Sequence, residues 1–226
     1  MPTISGGMDF DQYLRMLAKN FASELGPILS IDQVTSNTDL LGSFTEAAVK
    51  RLVRRSIEPM RVCTGAVLDF PLPPKLRQID LIIWAPAPAP AVFDMEGFGL
   101  VPRSSAFGVL EIKKSNYKGV DTQLEEFIDD AINHRIVADG PTAPVAQQRC
   151  AGLGVICVLE RKISKRLANL FGDGHAIALF ERQNGEPVVR DADVIRLINF
   201  LYFVTWRHRA VGGSATYPQV ALPAET

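Results

Sequence analysis

Gln78-Ile79-Asp80-Leu81-Ile82-Ile83-Trp84 and, some thirty residues on, Val109-Leu110-Glu111-Ile112-Lys113 are the two runs on which the fold turns. Both are apolar, rich in β-formers, and interrupted by charge at fixed positions. In a strand, alternate side chains share a face. Ile79, Leu81 and Ile83 therefore make one side of the first run, while Gln78, Asp80, Ile82 and Trp84 make the other. In the second run Val109, Glu111 and Lys113 share a face. A carboxylate embedded in such a strand needs a cation or a metal beside it, because burying it unpaired is unfavourable. The competing reading of Asp80 is a strand-edge aspartate facing water. Glu-x-Lys alone is a weak signal, since many strands end in a solvated ion pair. The two runs together say more. If they are neighbouring strands, two carboxylates and one ammonium converge on a single point.

Working outward, residues 61–70, 77–84 and 106–113 read as successive strands. Between the last two lies Ala85-Pro86-Ala87-Pro88-Ala89-Pro90, where alternate prolines cannot continue a sheet and predict a surface excursion. Upstream, residues 9–25 read as a helix from the spacing of Phe10, Tyr13, Leu14, Leu17 and Phe21, stopped by Gly26-Pro27. The polar stretch 30–41 reads as a loop or linker. A second helix is expected over 43–57, with Ser43 as N-cap and Glu46 in the capping-box position. Its buried face would be Phe44, Ala48, Leu52 and Val53. Glu46 would lie at the edge of that face, either capping the helix or looking into a cleft.

Downstream, helices are expected over 120–137, 164–171 and 191–209, strands over 152–159 and 176–180, and a loop over 139–148. The last helix is apolar nearly all round and must be buried on more than one side, under its own sheet or at a subunit interface. The order predicts an α/β (α+β) fold, a mixed β-sheet flanked by helices. One domain is expected, with a helical extension over 1–41, a core over 42–211 and a flexible tail over 212–226.

The converging groups suit phosphodiester hydrolysis. Asp80 and Glu111, with water and the main-chain carbonyl of Ile112, would make an all-oxygen site for Mg²⁺, for which Mn²⁺ can substitute. Such a cation polarises a phosphoryl oxygen and acidifies water. Lys113 would orient or deprotonate the attacking water and offset growing negative charge.

At these residues the chain resembles the PD-(D/E)xK nuclease superfamily, with a restriction-endonuclease-like fold, and within it the NucC group of anti-phage effector endonucleases. Gln78 to Trp84, Val101-Pro102-Arg103-Ser104-Ser105, and Phe107 to Lys113 carry the likeness, and residues 194–203 follow it more loosely. The resemblance implies that Asp80 and Glu111 bind metal and that Lys113 is the catalytic lysine. It aligns Glu46 with a helix glutamate that completes the metal or water shell in many members, and makes Gln78 and Gln123 possible accessory residues. Double-stranded DNA as substrate, a cyclic oligonucleotide as activator, and a homo-oligomer, a trimer, follow from the resemblance alone. The segment 139–148, where it would place a ligand gate, holds no aromatic or histidine residue, a departure from that group. A nuclease-fold module that binds nucleic acid or nucleotide without cutting is the alternative reading. A two-acid glycosidase site ranks far below, since it leaves Lys113 without a role.

The bulk numbers fit an enzyme of this kind without requiring one. The chain has 226 residues, 47% hydrophobic and 22% charged, as in ordinary globular proteins. The net charge of -1 gives no global attraction for nucleic acid, so any DNA contact must be a local basic patch. Three such groups occur: Lys50, Arg51, Arg54 and Arg55; Lys113, Lys114 and Lys118; and Arg161, Lys162, Lys165 and Arg166. The group around Lys113 is the expected DNA contact, and the others read as solvated faces. Cys63, Cys150 and Cys157 include no CxxC pair, and His134, His175 and His208 lack zinc spacing. No run approaches the roughly 20 apolar residues of a membrane span. A cytoplasmic protein is expected.

Overall fold

The computed structural model describes residues 9–68, 76–86, 89–114, 119–120, 122–124, 126–127, 153–157, 176–184 and 186–212. The expected loop over 139–148, the helix over 164–171, the tail beyond 212 and the third basic group lie outside these residues.

Seven strands form one sheet: β1 (Arg61–Leu68), β2 (Ile79–Trp84), β3 (Phe93–Met95), β4 (Phe98–Pro102), β5 (Ala106–Lys113), β6 (Leu153–Cys157) and β7 (Ala176–Ala178). Their spatial order is β3-β4-β1-β2-β5-β6-β7. The β1-β2-β5 centre is antiparallel, whereas β4 joins β1, β6 joins β5 and β7 joins β6 in parallel. A separate hairpin pairs β8 (Phe180–Gln183) with β9 (Glu186–Val189). The expected mixed sheet flanked by helices is therefore the observed fold.

Two cores sit on opposite faces of the sheet. On one, Leu81, Ile83, Phe107, Leu110 and Ile112 pack under α1 (Phe10–Leu25), α2 (Thr38–Ser56) and α3 (Asp191–Gly212). On the other, Cys63, Val67, Ile79, Ile82, Trp84 and Val109 meet Val120, Leu124 and Phe127, each of which is helical. In α3, Val194, Leu197, Ile198, Leu201 and Val204 are buried, so the chain's own sheet and helices cover most of its apolar surface. Gly108 admits this helix. A Cβ there would stand 3.0 Å from Phe200 and 3.1 Å from Val204.

Several sequence expectations are corrected. The second helix begins at Thr38, not 43, and is capped by the side chain of Asn37, which accepts from the N–H groups of Asp39 and Leu40. Ser43 is therefore no N-cap, and Glu46 stands in the helix interior, where capping cannot explain it. The buried face of α2 is Thr45, Val49, Leu52 and Val53, and Phe44 is 45% exposed. The stretch expected as a loop over 30–41 contains the end of a 3-10 helix, Gly26–Gln33, and the start of α2. The excursion before β5 carries the β3–β4 hairpin, turned by Glu96 (φ 51°) and Gly97 (φ 85°). The excursion is pinned by Ser105, whose hydroxyl donates to the Ala89 carbonyl at 2.5 Å and accepts from the Ala89 N–H at 3.2 Å.

The alternation read along β2 also fails at one point. Cys63 pairs with Ile82 and Gly65 with Ile79, so Asp80 and Leu81 together face Thr64. This is a β-bulge, two residues opposite one. It moves Ile79 to the face of Ile82 and Trp84, away from Leu81 and Ile83. Gly65, beside the bulge, has φ +149°, and a Cβ there would lie 1.8 Å from the Gly99 carbonyl oxygen.

Candidate active site

Asp80 leaves the bulge of β2 and meets the end of β5. The last ladder pair between these strands is Leu81 with Leu110. Beyond it, the Ile112 N–H donates to Asp80 Oδ2 at 2.8 Å, so the carboxylate takes the place of a main-chain acceptor. Lys113 Nζ lies 2.7 Å from Glu111 Oε1 and 3.5 Å from Asp80 Oδ2. The two acids and the ammonium thus share one site, each side chain less than a fifth exposed.

The electrostatics are asymmetric. Glu111 is 7% exposed, and burial, the largest cause, raises its pKa. The Asp80 charge raises it further, while Lys113 and, more weakly, Arg77 pull it back. Glu111 Oε2 is buried without a hydrogen-bond partner. Leaving a buried carboxylate oxygen unmatched is unfavourable, and a cation is the ordinary remedy. Among the described residues no group of three or more His, Cys, Asp or Glu side chains is gathered for a metal. A site here must accordingly be built from two carboxylates with main-chain or water oxygens. Asp80, the orphaned oxygen of Glu111 and the adjacent Ile112 carbonyl match that hard-oxygen set.

The other residues singled out in the sequence are less central. Glu46 Oε2 lies 3.3 Å from Lys50 Nζ, and Lys50 in turn donates to Thr64 Oγ1, so Glu46 is linked to the bulge through these two. Gln78 is exposed, just before β2. Gln123 has an exposed side chain, and its main-chain carbonyl accepts from Arg77 Nη2 at 3.4 Å.

Thr64 and Arg77, with no assigned role in the sequence, enter the site region, and so does Lys50, which the sequence placed on a solvated face but whose side chain is 22% exposed. Lys50 and Thr64 lie fourteen positions apart and meet only because α2 packs on β1. Arg77 lies over the Phe127 ring at 5.3 Å, within electrostatic reach of Glu111. A basic residue just ahead of the aspartate strand was the one sequence signal available for Arg77. In the first basic group, Arg55 pairs with Glu24 and Lys50 with Glu46, so two of its four charges are matched within the chain.

No family model matches the chain, and no curated protein does. Solved structures do. The cAAA-bound form of NucC from E. coli MS115-1 is 14% identical, over 89% of this chain and 93% of that one, with a TM-score of 0.57. The cAAA-bound form of NucC from P. aeruginosa ATCC27853 is 13% identical, over 88% and 93%, with a TM-score of 0.58. The apo form from E. coli MS115-1 is 13% identical, over 89% and 92%, at 0.54. At such identities the likeness is one of fold, and it spans far more of the chain than the sequence runs that first suggested it. The chain has the fold seen in the NucC structures.

Proposed function

We propose that this protein is a Mg²⁺-dependent endonuclease that hydrolyses phosphodiester bonds of double-stranded DNA, as an effector in anti-phage defence. The observation that carries the reading is the meeting of Asp80 and Glu111 at Lys113, with the other Glu111 oxygen, Oε2, buried and without a hydrogen-bond partner. The fold shared with NucC supports the same class of activity.

Asp80, Glu111 and the Ile112 carbonyl would hold the cation, which when bound supplies Lewis acidity to a phosphoryl oxygen and to water. The protein's own groups do the rest. The Ile112 N–H fixes one oxygen of Asp80 and so limits its rotation. Lys113, held between the acids, keeps a proton-bearing ammonium at Nζ, which can orient the attacking water and donate to a phosphate oxygen as charge builds. Lys114 follows Lys113 in the chain and would extend a basic edge toward a DNA strand. Arg77, anchored on Phe127 and the Gln123 carbonyl, adds a second cation near the acids.

Two of the structural neighbours hold cAAA, and a cyclic oligonucleotide is the proposed activator, acting on a homo-oligomer. Supercoiled plasmid incubated with Mg²⁺ or Mn²⁺, with and without cAAA, tests the whole reading. Nicking or linearisation by the wild type, lost in Asp80→Ala and Lys113→Ala, is expected. Cleavage persisting in both variants would sink the assignment, and DNA retention without any cleavage would make the protein a binding module.

A further inference from the structure

We propose that Lys50 and Thr64 are positioning residues for Asp80, and that the Glu46–Lys50–Thr64 chain sets the cation affinity of the site. The inference rests on the reading of Asp80 as a cation ligand and adds residues to it.

The bulge creates the need. A bulge interrupts the ladder locally and leaves one residue without its strand partner. Here the interruption falls at Asp80, and its main-chain carbonyl is met by a side chain, Thr64 Oγ1, at 3.1 Å. The direction of that bond is fixed by chemistry. An ammonium has only donors, and a threonine hydroxyl has one proton. Lys50 donates to Thr64 Oγ1, so the hydroxyl proton must point to the Asp80 carbonyl. Glu46 accepts from Lys50 at 3.3 Å one helical turn back and holds the ammonium in place. Thr64 is 4% exposed, so water cannot readily take over its role.

Asp80 is consequently held at both ends. Thr64 fixes its main chain from β1, and the Ile112 N–H fixes its carboxylate from β5. A bulge is a device that re-aims a side chain, and it does so reproducibly only when its own polar groups are satisfied. Without the hydroxyl, the Asp80 carbonyl must seek another donor, and the carboxylate moves with it.

The chain predicts a sign that simple electrostatics does not. If Lys50 mattered only as a nearby positive charge, its removal would strengthen binding of a divalent cation. If it matters by holding Thr64 and Asp80, its removal weakens binding. The test is Mn²⁺ titration of the full chain by electron paramagnetic resonance, for the wild type, Asp80→Ala, Thr64→Val, Thr64→Ser and Lys50→Met, with plasmid cleavage as second readout. Thr64→Val and Lys50→Met are expected to weaken Mn²⁺ binding about 10–100-fold and to lower kcat with little change in KM for DNA. Thr64→Ser, which keeps the hydroxyl, is expected to restore both. Unchanged binding in a folded Thr64→Val, or tighter binding in Lys50→Met, would overturn the inference, as would a folded Thr64→Ser that fails like the valine variant. Should Thr64→Val not fold, Lys50→Met on the partly exposed helix face decides the matter. Wild type that takes up no Mn²⁺, or Asp80→Ala that binds as well as wild type, would instead fell the cation site itself.

Discussion

The carboxylate of Asp80 accepts the main-chain N–H of Ile112 at 2.8 Å, one step beyond the last β2–β5 ladder pair, Leu81 with Leu110. One carboxylate oxygen thus has two duties: Oδ2 extends the β2–β5 pairing past its last ladder pair, and it lies 3.5 Å from Lys113 Nζ, which in turn holds Glu111.

These two duties separate by substitution. Asp80→Asn keeps an oxygen for the Ile112 N–H but loses the charge, whereas Asp80→Ala strands a buried donor. Both variants should lose plasmid cleavage. The alanine variant should also unfold earlier in urea, by about 1–3 kcal/mol relative to asparagine, the usual penalty for an unsatisfied buried group. Equal urea midpoints for the two would show that the hydrogen bond does not hold the strands.

Lys113 stands where a cation would sit, within ion-pair distance of both acids. Lys113→Met removes the competing ammonium and leaves the carboxylates to a divalent ion. Mn²⁺ should therefore bind this variant at least as tightly as wild type at mildly alkaline pH, while cleavage falls by about 10²-fold or more, as on loss of a proton-handling group. Weaker Mn²⁺ binding measured by calorimetry would mean that Lys113 builds the metal site and does not compete for it.

How the sequence disclosed some of this and hid the rest follows from locality. Strand β5 was legible to the residue, because an uninterrupted apolar run ends in a charged pair at Lys113. The pairing of Glu111 with Lys113 was legible because a period of two fixes which side chains share a face, and Asp80 joins them from the neighbouring strand. The bulge was not, since it depends on how β1 and β2 pair across the sheet. It made Ile79 change sides, against a simple alternation. Local signals were also passed over. Asn184-Gly185, in the sequence just ahead of Glu186, is a favoured hairpin dipeptide, and Gly97 after Glu96 supplies the positive φ of the β3–β4 turn. Asn37 ahead of Thr38-Asp39 is a helix start that the polar character of residues 30–41 disguised. Lys50 with Thr64 leaves no trace in either local sequence, because only the docking of α2 on β1 joins them.

Gly65 tests the packing beside the bulge. Its φ of +149° disfavours any L side chain, and a Cβ would collide with the Gly99 carbonyl oxygen of β4. Gly65→Ala should cost about 1–3 kcal/mol from backbone strain alone, with the clash adding to it. A melting temperature within a degree of wild type would show that β4 can move away from β1.

Glu111 gives the site a pH signature. Burial, followed by the Asp80 charge, raises its pKa above the ordinary 4.5, with Lys113 opposing. The folded protein therefore holds this proton more tightly than the unfolded chain does. The resulting stability is fully present below pH 4.5 and is lost as pH rises through the folded value. Glu111→Gln has no such proton to lose. Wild type should accordingly lose stability relative to Glu111→Gln as pH rises from 4.5 into the neutral range. A divalent cation reverses the trend, because it binds the ionised carboxylate. At a hundredfold excess of Mg²⁺ over Kd, wild type should gain about 2.7 kcal/mol, and the glutamine variant much less. For a chain of this size each kcal/mol is about 2–4 °C in Tm, within reach of thermal melts taken across pH with and without Mg²⁺. Parallel pH profiles would show that Glu111 holds its proton no more tightly in the folded protein, and an equal Mg²⁺ shift in both proteins would place the cation away from Glu111.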